Sequence, residues 1–107
     1  MFSSKIRTAA SALGVTVEFA RSSPAALEKM RERPPSLVIF DLNCQRTDPL
    51  GTVAAMKQDP ALASMPTVGF VSHVQTDLIA AARQAGVGEV LARSAFTMQI
   101  AEILSRA

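Results

Sequence analysis

Three polar side chains of different chemistry follow three apolar runs of the chain. Asp41 comes directly after the run LVIF, Ser72 after TVGFV and Arg93 after EVLA. If these runs are neighbouring parallel strands, their carboxyl ends meet at one edge of the sheet, where α/β proteins bind ligands. A carboxylate, a hydroxyl and a guanidinium brought together there have the chemistry to bind or accept a phosphoryl group.

Each of the three residues also has an ordinary structural role that its type allows. Asp41 could cap the loop that follows it, Ser72 could belong to a turn, and Arg93 could be a surface cation. Their shared position after a strand, rather than the identity of any one of them, is what indicates a candidate site.

The elements that would position these residues are predicted from hydrophobic spacing and from glycine and proline punctuation. Helical spacing of apolar residues, with Ser23 and Pro24 as a helix start and Gly14 and Gly86 as helix ends, marks the helices. The run VTVEFA alternates apolar and polar residues, which is typical of a half-exposed strand at a sheet edge. The predicted helices lie at 2–13, 24–33, 49–58, 76–85 and 96–105, and the predicted strands at 15–20, 37–40, 67–71 and 89–92.

This alternation predicts a single α/β domain over residues 1–107. Strands that alternate with helices of this length form a parallel sheet with helices on both faces, joined by right-handed crossovers. We expect the first and last helices on one face and the other three on the opposite face. The pattern starts with a helix, so no strand precedes the first helix in the sequence.

Composition excludes several classes of protein. The chain is 49% apolar and 19% charged with a net charge of +2, which is typical of a globular domain. Its basic residues are scattered, so no nucleic-acid surface is predicted. Cys44 is the only cysteine, which excludes an internal disulfide and a cysteine-based metal site. No apolar run reaches the length of a membrane span and no signal core is seen, so we expect a cytoplasmic protein.

The run LVIFDLN, with Asp41 at the end of its strand, resembles the receiver domain of two-component response regulators. The resemblance covers essentially the whole chain and implies a flavodoxin-like three-layer sandwich. It implies that Asp41 is the phosphoacceptor and that Asn43 stands where the family offers a backbone carbonyl to Mg²⁺. Ser72 matches the serine or threonine that ends the family's fourth strand, and Arg93-Ser94 lies where the family has Lys-Pro.

The sequence departs from this family at three places. The family's opening strand and the acidic pair after it are absent, Arg93 replaces the lysine, and Ser94 replaces the proline. Asp41 is then the only obvious carboxylate at the site, with Asp48 in the following loop as a less favoured second one. Magnesium binding is therefore expected to be weak at best, no other cofactor is expected, and Arg93 could pair permanently with Asp41.

These departures favour a degenerate receiver that is not an enzyme and that works through protein contacts. Its expected partners are a histidine kinase or an output protein, and Asp41 is expected to be phosphorylated weakly or not at all. His73 is interpreted as a rim residue, with a phosphate contact or a pH-sensitive gate as the alternative. Ser94 is expected to lie next to the phosphate site.

The missing first strand leaves two structural solutions. The strands at 15–20 and 37–40 could pair directly in a four-stranded sheet, or another copy could supply the pairing, and we favour a homodimer. A different function, a small-molecule or cofactor-binding enzyme on a flavodoxin-like fold, remains the alternative. The sequence lacks the glycine-rich phosphate loops and nucleophile elbow that such enzymes use, and it contains no Trp or Tyr for flavin stacking.

Overall fold

A computed structural model describes residues 2–44, 47–72 and 75–106. In these residues three parallel strands form one sheet in the order β1-β2-β3. None of the described helices is both long and apolar enough to cross a bilayer. The elements are α1 (Phe2–Leu13), α2 (Ser23–Glu32), β1 (Val38–Asp41), α3 (Pro49–Gln58), β2 (Thr67–Val71), α4 (Thr76–Ala85), β3 (Glu89–Ala92), α5 (Arg93–Met98) and α6 (Ile100–Ser105).

The middle strand, β2, is the most buried element of the fold. All five of its residues are buried, and it pairs with β1 on one side and with β3 on the other. A strand covered on both faces reads as an unbroken apolar run, because neither face meets water. Gly69 in this strand lies under Leu42, where an added Cβ would come within 2.9 Å of the leucine side chain.

Two hydrophobic clusters cover the two faces of the sheet. Cluster 1 contains the buried side chains of α2, α3 and α4 with Phe40 and Val71, and cluster 2 contains those of α1, α5 and α6 with Val68 and Phe70. The Phe70 and Phe96 rings stack at a centroid distance of 4.8 Å in the middle of cluster 2. The predicted placement of the first and last helices on one face of the sheet, and of the other three on the opposite face, is therefore confirmed.

Local capping explains where the helices begin and end. The hydroxyl of Ser22 accepts the N–H of Ala25 at the start of α2, so the N-cap is one residue earlier than the sequence indicated. The carboxylate of Asp48 accepts the N–H of Gly51 at the start of α3. Gly86 ends α4 with a φ of 112°, a left-handed conformation that glycine adopts without a steric cost.

Two side-chain contacts tie α2 to α3. The Thr52 and Ser23 hydroxyls are hydrogen-bonded at 2.7 Å, and Arg31 Nε donates to Asp59 Oδ2 at 3.0 Å. The N–H of Ala61, helped by Arg31, holds the pKa of the Asp59 carboxyl below its ordinary value. These contacts fix α2 over cluster 1.

The predicted strand at 15–20 is wrong. Residues 15–20 are extended but pair with no strand among those the structure describes, so the sheet has three strands and the predicted four-stranded alternative is not formed. The alternation itself is correct, because Val15, Val17 and Phe19 pack on cluster 2 while Thr16 and Glu18 are exposed. Alternation reports which face is buried, but a strand also needs a neighbour with open backbone groups.

The last predicted helix, 96–105, also differs from the structure. Helix starts already at Arg93, and it is interrupted at Gln99, whose N–H donates to the carbonyls of Ala95 and Phe96. The prediction rested on the large apolar residues from Phe96 onward. The three residues before Phe96, which begin α5, include no large apolar side chain. The other predicted elements agree with the structure to within one or two residues at each end.

The stacked pair in cluster 2 allows a test on a single helix. We expect Phe96→Ala to lower the free energy of unfolding by about 3–5 kcal/mol, because it empties a site where the ring is 0% exposed. Met98→Ala is the matched control; its side chain is 88% exposed, and the change should stay within about 0.5 kcal/mol. Urea unfolding followed by circular dichroism measures both, and similar values for the two variants would contradict the assignment of the core.

Candidate functional site

The carboxyl edge of the sheet brings the three predicted strand-end residues together. Asp41 is the last residue of β1, Ser72 directly follows β2, and Arg93 directly follows β3. The register aligns Asp41 with Phe70, two residues before Ser72. The parallel ladder therefore places a carboxylate, a hydroxyl and a guanidinium at one edge, as the sequence predicted.

Asn43 is the centre of the hydrogen bonding at this edge. Its Oδ1 accepts the N–H of Ser72 at 2.7 Å and the hydroxyl of Ser72 at 2.9 Å. Its Nδ2 donates to Oε1 of Gln75 at 2.7 Å. One carboxamide thus joins the end of β1 to the end of β2 and to the residue before α4.

The Asp41 side chain is used in the turn that follows β1. Its Oδ1 accepts the backbone N–H of Asn43 at 3.0 Å, and its main-chain carbonyl accepts the N–H of Cys44 at 3.1 Å. Asp41 is half-buried. Its carboxylate is therefore oriented by its own loop, which is the capping role that its residue type allowed, while it still lies at the site.

Arg93 reaches the edge from the third strand. Its Nη2 lies 3.5 Å from the hydroxyl of Ser72, a long hydrogen bond, and its main-chain carbonyl accepts the hydroxyl of Thr97. At this edge the guanidinium of Arg93 contacts Ser72, and the predicted ion pair with Asp41 stays a prediction. Ser94 is exposed in the first turn of α5.

Two further predicted residues have other outcomes. His73 lies outside the described residues, and its proposed roles stay predictions. Asp48 has a φ of 39° and uses its carboxylate to cap α3. Its carboxylate therefore caps α3, and its role as a second carboxylate beside Asp41 stays a prediction.

This edge offers few ligands to the Mg²⁺ ion that the resemblance implies, with Asp41 as its carboxylate. Among the residues the structure describes, no group of three or more His, Cys, Asp and Glu side chains is placed to hold a metal ion. Asp41 is the carboxylate of the edge, and the side-chain oxygen of Asn43 is already occupied by two donors from Ser72. Mg²⁺ in proteins is usually held by one or two carboxylates together with water and substrate oxygens.

Gln75 is a site residue that the sequence did not reveal. It accepts a hydrogen bond from Asn43 across the loop between β2 and α4. A glutamine before a helix carries no periodicity or motif, so only the pairing of β1 with β2 brings it near Asn43.

Solved response regulators share this fold. Phosphorylated RcpA, a cyanobacterial phytochrome response regulator, matches with a TM-score of 0.75 at 24% identity, over 94% of this chain and 78% of that chain. A two-component response regulator from Legionella pneumophila matches with a TM-score of 0.78 at 15% identity, over 99% and 90% of the two chains. The Mn(2+)-bound response regulator Rcp1 matches with a TM-score of 0.72 at 20% identity, over 95% and 85%.

A scan against models of protein families and a search of curated proteins find no match. The structural matches nevertheless agree with one another, and each covers nearly all of this chain. The chain therefore has the flavodoxin-like fold of response-regulator receiver domains, which confirms the predicted fold class.

The Asn43 contacts generate a prediction about the loop after β2. We expect Asn43→Ala to cost about 1–2 kcal/mol in unfolding free energy, because three exposed hydrogen bonds are lost. Hydrogen exchange of the Ser72 amide should accelerate in this variant, since its acceptor is the Asn43 carboxamide. Gln75→Ala is the control, because it removes one bond to Asn43 and leaves the Ser72 amide bonded. Unchanged protection of Ser72 in Asn43→Ala would contradict this account.

Proposed function

We propose that the chain is a receiver-like signal-transduction module of the two-component type that acts through protein contacts. In this proposal it is a degenerate receiver and not an enzyme, and Asp41 accepts a phosphoryl group weakly or not at all. The observation that carries the proposal is the carboxyl edge itself, where Asp41 stands beside an Asn43–Ser72 network and no group of three or more His, Cys, Asp and Glu side chains is placed to hold a metal ion among the described residues.

The chemistry of aspartyl phosphorylation supports this proposal. Transfer of a phosphoryl group to a carboxylate brings two anions together, and a metal ion normally neutralises the charge that develops. A single carboxylate is the smallest protein ligand set that is usual for Mg²⁺, so we expect weak binding. The resemblance to RcpA, which was solved in a phosphorylated form, and to Mn(2+)-bound Rcp1 concerns the fold and is not carried over to these residues.

The second support is that the donors of the edge are already used inside the chain. The Ser72 N–H and hydroxyl both donate to Asn43, and Arg93 approaches that same hydroxyl. A phosphoryl group on Asp41 would have to displace Asn43 to recruit them. His73 and Ser94 remain proposed neighbours of this site, and Arg93 remains a proposed partner of Asp41.

Our proposal includes the partners that such a module needs. They are a histidine kinase or an output protein, reached in the cytoplasm, and a second copy of the chain in a homodimer. The basic residues are scattered along the sequence, and binding to nucleic acid or to a membrane is not part of the proposed function.

Incubation with a small phosphodonor and Mg²⁺ tests the proposal. We expect no stoichiometric gain of a phosphoryl group by intact-mass measurement, because charge neutralisation at Asp41 is incomplete. Asp41→Asn and Asp48→Asn should behave like the unmodified chain. The contrary result is a full, base-labile label that disappears in Asp41→Asn and persists in Asp48→Asn, which would make Asp41 a working acceptor.

A further inference from the structure

The outer edge of β1 has backbone groups without strand partners. Val38 N donates to the carbonyl of Pro66 and Leu42 N to that of Phe70, both at 3.0 Å. Bonding to one neighbour alternates along a strand, so the N–H groups of Ile39 and Asp41 point away from β2. The described part of the chain places no strand on that side. An edge of this kind is a template for another strand.

A second row of open backbone lies in the segment 15–20. Among the described residues, the N–H groups of residues 16–20 make no backbone hydrogen bond, and the last backbone bond before them closes the end of α1, where the Val15 N–H donates to the Ala10 carbonyl. Two contacts hold Phe19 in this segment, since the guanidinium of Arg7 lies 4.5 Å from the Phe19 ring and Lys29 Nζ donates to the Phe19 carbonyl at 2.7 Å.

The two open rows belong to the same side of the molecule. Val15, Val17 and Phe19 pack on cluster 2. Leu37, the residue before β1, and Ile39, within β1, pack on the same cluster. The two rows are therefore neighbours along one apolar face, although they do not pair within one chain. The outer edge of β3 likewise has no strand partner in the part of the chain that the structure describes.

We propose that these two rows form the interface between two copies of this chain. In the dimer, the segment 15–20 of each copy has two neighbours, both from the other copy. It pairs with the other copy's β1 on one side and with the other copy's segment 15–20 on the other side. A twofold axis perpendicular to the sheet makes each pairing antiparallel and generates both halves of the interface at once, because such an axis pairs the same surface with itself. This inference rests on the homodimer proposed above and specifies its surface.

Face and charge together restrict the register at the twofold axis. Residues that face the same side must lie opposite one another, so the axis passes through a residue rather than between two. An axis at Glu18 would place two carboxylates directly opposite, which is destabilising. An axis at Val17 instead pairs Val17 with its own copy on cluster 2 and pairs Glu18 with Thr16.

The molecular mass and a pair of substitutions test the dimer. Light scattering after gel filtration should give twice the chain mass of 11.3 kDa. Val17→Pro should give a monomer with an unchanged circular dichroism spectrum, because the Val17 N–H makes no backbone bond within one chain. Val17→Thr, which keeps the N–H and the branched shape, should remain a dimer.

Disulfide trapping tests the register independently. With Cys44→Ser as background, Val17→Cys should cross-link two copies under mild oxidation, because directly opposite residues are about 4.5–5.5 Å apart between Cα atoms. Thr16→Cys in the same background is the control and should cross-link at least tenfold more slowly, since its two copies lie diagonally.

Several outcomes would overturn the proposal. A monomer by light scattering, a dimer that Val17→Pro leaves intact, or a dimer in which Val17→Cys cross-links no faster than Thr16→Cys each contradicts this interface. The phosphodonor experiment tests the Asp41 carboxylate and not the dimer interface. The proposed lack of phosphorylation and the proposed interface can therefore be contradicted independently of each other.

Discussion

The parallel ladder that β2 makes with both of its neighbours is the constraint on which the other features depend. Its backbone bonds to β1 and to β3 hold the only sheet among the described residues, and its alternating side chains supply both clusters. Val71 belongs to cluster 1, while Val68 and Phe70 belong to cluster 2. Helices on each face are therefore anchored to the same five residues, and a change in β2 would affect both halves of the core.

The same ladder creates the candidate site. Because parallel strands end at a common edge, the residues that follow them meet without any contribution from local sequence motifs. What the edge then contains is an internally satisfied network, centred on Asn43, beside one carboxylate. A phosphoryl-transfer site needs charged groups that await a metal and a substrate, whereas this edge has most of its donors and acceptors paired within the chain. That contrast supports the proposed module, which would keep the receiver fold and act by contact.

The open side of β1 is the other consequence of a three-stranded sheet. Apolar side chains can be covered by packing alone, as Val15, Val17 and Phe19 are on cluster 2, but backbone N–H and C=O groups require directional partners. A segment can therefore be well packed and still lack its hydrogen bonds. A twofold dimer would give hydrogen-bond partners to both rows of open backbone groups through identical surfaces. The proposed oligomeric state then follows from the same feature that leaves the described sheet with three strands.

The sequence by itself determined the first four helices, the three buried strands and the placement of Asp41, Ser72 and Arg93 at strand ends, because hydrophobic periodicity and glycine or proline signals act over a few residues. Only the tertiary structure decided two other matters. Residues 15–20 do not join the sheet, since pairing depends on a neighbour that periodicity cannot report. Asn43 is hydrogen-bonded to both Ser72 and Gln75, since these contacts join residues about thirty positions apart that only the β1–β2 pairing brings together.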